Sequence, residues 1–136
     1  MQAIDEALMT LLKGDATLMA LVEGVYNTAA PDDEEAGLAV DYPLVVFQQV
    51  SSVDDYTLSA RVRTSYLYQV RVVDKDGDRE GINDALDRIE ALLMDTEIVA
   101  GATLYCRREG HLPYMAEMDS GVMYQQVGAT YRIEVG

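Results

Sequence analysis

The sequence predicts an α+β domain: an antiparallel or mixed β-sheet of about four to five strands with two helices packed on one face, in the order α-(α)-β-β-α-β-β. Three observations carry this. Tyr66-Leu-Tyr-Gln-Val-Arg-Val-Val73 alternates, with Tyr66, Tyr68, Val70 and Val72 on one face, as a half-buried strand does. The acidic turn Asp74-Lys-Asp-Gly-Asp78 breaks it, and from about Arg79 the apolar spacing changes from two to between three and four. Further β-patterned runs stand on both sides of this strand–helix unit, and an amphipathic helix opens the chain.

Taken in order, Ile4, Ala7, Leu8, Leu11 and Leu12 fall at i, i+3, i+4, i+7 and i+8, one stripe of a helix. Gly14 stops it, and Asp15 caps a second short helical segment carrying Leu18, Met19, Leu21 and Val22 before Gly24. Val25-Tyr26 can begin a short strand. Asn27 to Tyr42 is a loop with Pro31-Asp-Asp-Glu-Glu35 at its acidic tip. Its length marks it as a place for function or motion, although a solvated charge run explains it as well. Pro43 to Val50 is a strand with proline at its first position, and Leu44-Val-Val-Phe47, apolar on both faces, places it inside the sheet.

Ser51 to Thr64 is too polar and too long for a tight hairpin and reads as an extended arm or β-excursion between two antiparallel strands. Ile82, Ala85, Leu86, Ile89 and Leu93 give the second long helix its buried stripe, with Asp78 as N-cap. Thr103 to Arg108 is the next strand, and Gly110-His-Leu-Pro-Tyr114 a turn or edge segment. Val122 to Val127 and Ala129 to Val135 complete the sheet as one long strand, bulged or bent at Gly128.

At 136 residues a single domain spanning 1–136 is expected, burying roughly two-thirds of its unfolded surface. The charge narrows the function classes. With 24 acids against 10 bases the net charge is −14, and the only lysines are Lys13 and Lys75, so binding nucleic acid through basic patches is disfavoured. Cys106 is the sole cysteine, so no internal disulfide forms. The start of the chain carries acids where a secretory leader needs positive charge, and no apolar run reaches the ~20 residues of a membrane-spanning helix. Synthesis in the cytoplasm, with no membrane association, is the expectation.

The residues offer no catalytic, metal or cofactor site. Asp74, Asp76 and Asp78 match the first ligand positions of a calcium loop, but Arg79 stands where glycine must make the turn, and Ala85 where a bidentate glutamate belongs. A capped strand-to-helix turn accounts for them better. His111 is the only histidine, which excludes paired-histidine chemistry. Cys106, His111 and Glu117 or Asp119 make a hydrolase triad on paper only, since no activating helix N-terminus precedes the cysteine, which reads as a buried structural thiol. Gly77 and Gly81 lack the lysine and hydroxyl of a phosphate loop.

Several stretches together resemble a known family. The amphipathic opening followed by Asp15-Ala-Thr-Leu-Met-Ala-Leu-Val-Glu-Gly-Val-Tyr26 is one. The polar loop closing on Tyr42-Pro-Leu-Val-Val-Phe47 is another, as is Asn83-Asp-Ala-Leu-Asp-Arg-Ile-Glu-Ala-Leu-Leu93. The ending, with Arg107, Glu117-Met-Asp-Ser-Gly121 and Tyr131-Arg-Ile-Glu-Val135, completes the set. Over nearly its whole length the chain resembles the phage tail completion proteins, the tail terminators of long-tailed bacteriophages and related particles. The resemblance implies a non-enzymatic virion protein without cofactor, assembled in the bacterial cytoplasm. It would form a ring, a hexamer, that caps the head-proximal end of the tail tube, ends its polymerisation and joins it to the head. The implied partners are further copies of the chain, the tail tube protein and the head connector or adaptor, with DNA only as cargo passing through the channel. An acidic channel wall would repel its phosphates. The alternatives are another tail or neck component (tube subunit or head-side adaptor) and a non-viral α+β binding module.

Contacts in such a ring are expected from polar arms. Asp54, Asp55, Tyr56, Arg61 and Arg63 form one, His111, Tyr114, Glu117 and Asp119 another, and the acidic loop Asp32, Asp33, Glu34 and Glu35 a third. The forked guanidiniums of Arg61 and Arg63 suit carboxylates on a neighbouring subunit.

Overall fold

The computed structural model describes residues 2–28, 42–56, 61–75, 79–94, 98, 103–119 and 121–135. Helix α1 (Gln2–Lys13) closes its last turn when Gly14 N–H donates to Thr10 O at 2.9 Å. Asp15 then caps α2 (Ala16–Leu21), its Oδ2 accepting from Leu18 N–H at 2.8 Å, as a short acidic side chain does at an N-cap. Strands β1 (Gly24–Asn27), β2 (Leu44–Tyr56) and β3 (Arg61–Lys75) follow. Helix α3 (Arg79–Leu93) leads to β4 (Thr103–Asp119) and β5 (Val122–Val135).

The five strands form one sheet in the order β1-β2-β3-β5-β4. Only β1 and β2 run parallel, so the sheet is mixed, and its other pairs are antiparallel. The predicted class and element order hold, with β1 as the addition that Val25-Tyr26 hinted at. One face of the sheet carries the core. Val25, Val45, Phe47, Tyr66, Tyr68, Val70, Val72, Val127, Ala129, Tyr131 and Ile133 all bury there against the helices. The helices contribute Ile4, Leu8 and Leu12 from α1, Leu18 from α2, and Ile82, Ala85, Leu86, Ile89 and Leu93 from α3. The spacing of the apolar residues therefore dictates which face each helix turns inward, and each fully buried aliphatic contributes about 1.5–3 kcal/mol. Leu44 to Phe47 are buried on both faces, as their apolar run predicted.

Two polar groups tie the layers together. The fully buried Tyr68 donates its hydroxyl hydrogen to Asp5 Oδ1 on α1 at 2.7 Å. Burial, then this carboxylate, pushes the Tyr68 phenol up, so it stays a donor. The capping residue Asp15 also receives a forked pair of bonds from Arg88 on α3, at 2.8 and 2.9 Å, which clamps the α1–α2 corner to α3.

Three local expectations are settled by the register. Of the two readings of Ser51 to Thr64 the β-excursion holds: β2 and β3 stay paired from Leu44↔Val73 to Tyr56↔Arg61, so the polar stretch continues the antiparallel pair. Gly110 to Tyr114, expected as a turn or edge segment, is an edge segment, the middle of the outer strand β4, which passes through register shifts at Arg108/Gly110 and Leu112/Met115. Gly128 is not a bulge. β5 pairs with β3 in unbroken register there, and a Cβ on Gly128 would meet Val70 O at 2.6 Å and Leu112 Cδ1 at 2.8 Å. Glycine is needed for close approach of three strands.

Candidate partner-contact surface

The strands do not end level. β3 pairs with β5 from Thr64↔Val135 to Lys75↔Tyr124. Beyond Thr64 the β2–β3 hairpin continues alone through Asp55↔Arg63 and Tyr56↔Arg61. Beyond Lys75, at the opposite end of the sheet, the β4–β5 hairpin continues through Met118↔Met123 and Asp119↔Val122. Each overhang is two or so residue pairs, about 7 Å. Gly121, with φ of +82°, supplies the left-handed residue that reverses the second hairpin.

The first hairpin end holds one expected contact group. Asp54 is exposed, and its Oδ1 accepts from Thr64 Oγ1 at 2.6 Å. Asp55, Tyr56 and Arg61 occupy the strand ends by register. Arg63 is anchored within its own chain: it bridges to Glu134 at 3.4 Å, although its side chain remains 47% exposed. The second group spreads along β4. His111 and Glu117 are exposed, Tyr114 is half-buried against the core, and Asp119 registers with Val122 at the tip. The two groups are thus at opposite ends and edges of the sheet. Asp32, Asp33, Glu34 and Glu35 lie outside the described residues, as do the proposed cap Asp78 and the central acid of its turn, Asp76.

The β4–β5 hairpin also bears a feature that pattern reading missed. Met115, Met118 and Met123 are exposed, Met118 at 61%, and Val50 and Val53 are exposed on β2. Solvated methionines on a projecting hairpin suit an adaptable apolar contact.

Arginines and acids pair on the helix-free face of the sheet. Arg63, Arg107 and Arg132 lie near one another there, with Arg71 further along the strands. Arg132 bonds Glu109 at 2.9 Å and Ser65 Oγ at 2.7 Å. Arg71 reaches Gln126 Oε1 at 3.4 Å, and the Arg107 guanidinium lies 5.1 Å from the centre of the Tyr105 ring. Burial, then Glu134, pushes the Tyr105 phenol up. The helix side carries the exposed acids Glu6, Asp84 and Asp87, with Arg88 and Arg108 bridging to acids there.

Cys106 is buried opposite Ile133, and His111 registers with Ala129, four residues further along β5, a separation of about 13 Å. That distance does not bring thiol and imidazole together. Among the described residues, no group of three His, Cys, Asp or Glu side chains is placed to hold a metal, and no helix is long and apolar enough to cross a membrane.

The family model for tail completion protein gp17 matches residues 6–112, well over half of the chain. The chain belongs to the tail completion protein gp17 family. It is accordingly a structural component of a phage-type tail. Two solved structures share the fold of this tail completion protein. One is a chain of the virion of the native gene transfer agent particle, with a TM-score of 0.71 and 17% identity over 94% of this chain and 90% of that one. The other is the gp17 protein of bacteriophage SPP1, with a TM-score of 0.59 and 18% identity over 99% and 90%. No curated protein matches the sequence closely. The family match stops at Leu112, just before the Pro113 irregularity in β4, so the methionine-bearing hairpin lies outside it.

Proposed function

We propose that this tail completion protein assembles as a ring of six copies on the head-proximal end of the tail tube. The ring ends tube polymerisation and offers the surface to which the head connector or adaptor joins. The observation that carries this reading is the pair of hairpin ends at opposite ends of one sheet, in a chain of the tail completion family. A contact between two different surfaces, repeated by rotation, closes into a ring, and a subunit with unlike projections at its two ends is built for such a contact. The polar hairpin end with Asp54, Asp55, Tyr56, Arg61 and Arg63 then meets a neighbouring copy. The strand with His111, Tyr114, Glu117 and Asp119 meets that copy's neighbour or the tube. The net charge of −14 per copy supports a channel that DNA passes without sticking.

An elongation assay tests the reading. Short tail tubes are incubated with the protein and then offered fresh tube subunits. Tubes should stop growing at one end, at a stoichiometry of one ring per tube. Continued growth at both ends in saturating protein would refute it.

A further inference from the structure

The ring reading leaves open how neighbouring copies join, and the sheet itself narrows the choice. Its two outer strands are β1 and β4. β1 is short, pairing β2 only from Leu44 to Phe47, and among the described residues no strand pairs the same side of β2 from Gln48 to Tyr56. On the other side of the sheet no described strand lies beyond β4. Strand edges of this length template pairing with another chain.

Direction comes from topology. β2, β3, β5 and β4 are linked by three antiparallel steps, so β2 and β4 run in opposite senses. A copy generated by rotation about an axis near the strand direction therefore brings its β2 beside the first copy's β4 in antiparallel sense. Both hanging edges are used, and every copy makes the same contact.

Charge and side-chain faces set the register. Asp54 lies on the helix side of the sheet, because Thr64 Oγ1 bonds it and Thr64 alternates with the core residues Tyr66 and Tyr68. Arg108 lies on the same side: it pairs with Tyr131 and bridges to Glu90 on α3. Asp55 registers with Arg63 by backbone position, and Arg107 registers with Arg132 on the helix-free face. Antiparallel pairing of Asp54 with Arg108 thus sets an acid against an arginine on the same face, with backbone position 55 opposite position 107. A parallel arrangement would bring the acidic end of β2 toward Glu117 and Asp119 instead.

We infer, building on the ring reading, that the ring is closed by antiparallel addition of β2 (residues 48–56) of one copy to β4 (residues 106–114) of the next, with Asp54 opposite Arg108. In one subunit Asp54 stands level with Thr103, and Arg108 level with Gln49. The joint is therefore staggered by four residues, about 13 Å, and a closed ring of tilted strands requires a stagger. The pairing also stops where β1 of the next copy begins, beside the register shift at Leu112/Met115. Pro113 and the bulges of β4 guard the edge against other registers.

The test uses the full chain. Asp54→Arg and Arg108→Asp are made singly and together, folding is checked by circular dichroism melting, and ring assembly is followed by native mass spectrometry and sedimentation. Each single change should raise the concentration for half-assembly at least tenfold, and the double change should restore it to within about threefold. A second arm, for the case that a single variant fails to fold, is the pair Asp54→Cys with Arg108→Cys. Mild oxidation should give a ladder of linked copies ending at the closed ring, while neither cysteine alone does so. Wild-type rings without rescue or ladder would overturn the edge pairing and leave the ring reading standing. Discrete dimers as the end state, the product of β4 pairing with itself, would overturn it too. If wild-type protein forms no ring alone or on tubes, both readings fall.

Discussion

Gly128→Ala is the sharpest single perturbation of the fold. The added methyl would sit 2.6 Å from Val70 O, 2.8 Å from Leu112 Cδ1 and 3.1 Å from Arg71 Cγ. Leu112 and the stem of Arg71 can turn aside. Val70 O cannot, because it belongs to the β3–β5 ladder at the centre of the sheet, and moving it parts two strands. Overpacking of this kind costs about 1–3 kcal/mol, against a gain of about 0.4–1 kcal/mol from the stiffer unfolded chain. At the midpoints the net loss is about 1.3 kcal/mol, which for a domain of this size lowers Tm by roughly 4–6 °C. Gly110→Ala on the neighbouring strand is the control, since its Cβ would meet only Thr130 Oγ1 at 3.8 Å. It should leave Tm within about 2 °C, given that unobstructed surface changes stay within about 0.5 kcal/mol. Thermal melts of the two variants decide the matter. A neutral Gly128→Ala, or an equal loss at both glycines, would refute close approach as the reason for Gly128.

The capping clamp predicts a pH dependence. Arg88, then the Leu18 N–H, holds the Asp15 carboxyl down at about 2, below its usual 3.8. A depressed carboxylate contributes stability that is present above its unfolded value and lost as pH falls through its folded one. Asp15→Asn keeps an N-cap side chain but loses the charge, so it should melt below wild type at pH 6, with the gap closing between about pH 4 and pH 2. A gap that stays constant to pH 2 would contradict this. The hairpin end supplies a separable prediction. Removing residues 54–62 leaves Arg63 and Thr64 to connect the paired Val53 and Ser65, a two-residue hairpin link. The monomer should keep its fold by circular dichroism while ring formation disappears; rings that survive would count against the contact.

Periodicity made the layers legible. The stripes of α1 and α3 bury as their spacing dictates, because a helix has one inward face whatever lies beneath it. Asp15 was readable as a cap, but its second partner, Arg88, is distant in sequence and no local pattern announces it. Misreadings came where one residue type serves two purposes. Gly128 signals a bulge and a close approach equally, and only the neighbouring strands tell them apart. Gly110 and Pro113 fit a turn and an edge segment equally, and the edge segment is what forms, because an edge strand tolerates bulges and a missing N–H. The candidate contact residues stand out in the sequence only as polar clusters; the placement of Arg63 beside Glu134, and the exposure of Met115, Met118 and Met123, depend on where strands overrun one another.

The central claim is that this tail completion protein closes a ring on the tube. Electron microscopy of the purified protein mixed with tail tubes tests it most directly. One six-fold ring seated at a single end of each tube is the predicted image. Protein that polymerises into tubes of its own, or binds along the tube wall without a terminal ring, would contradict it.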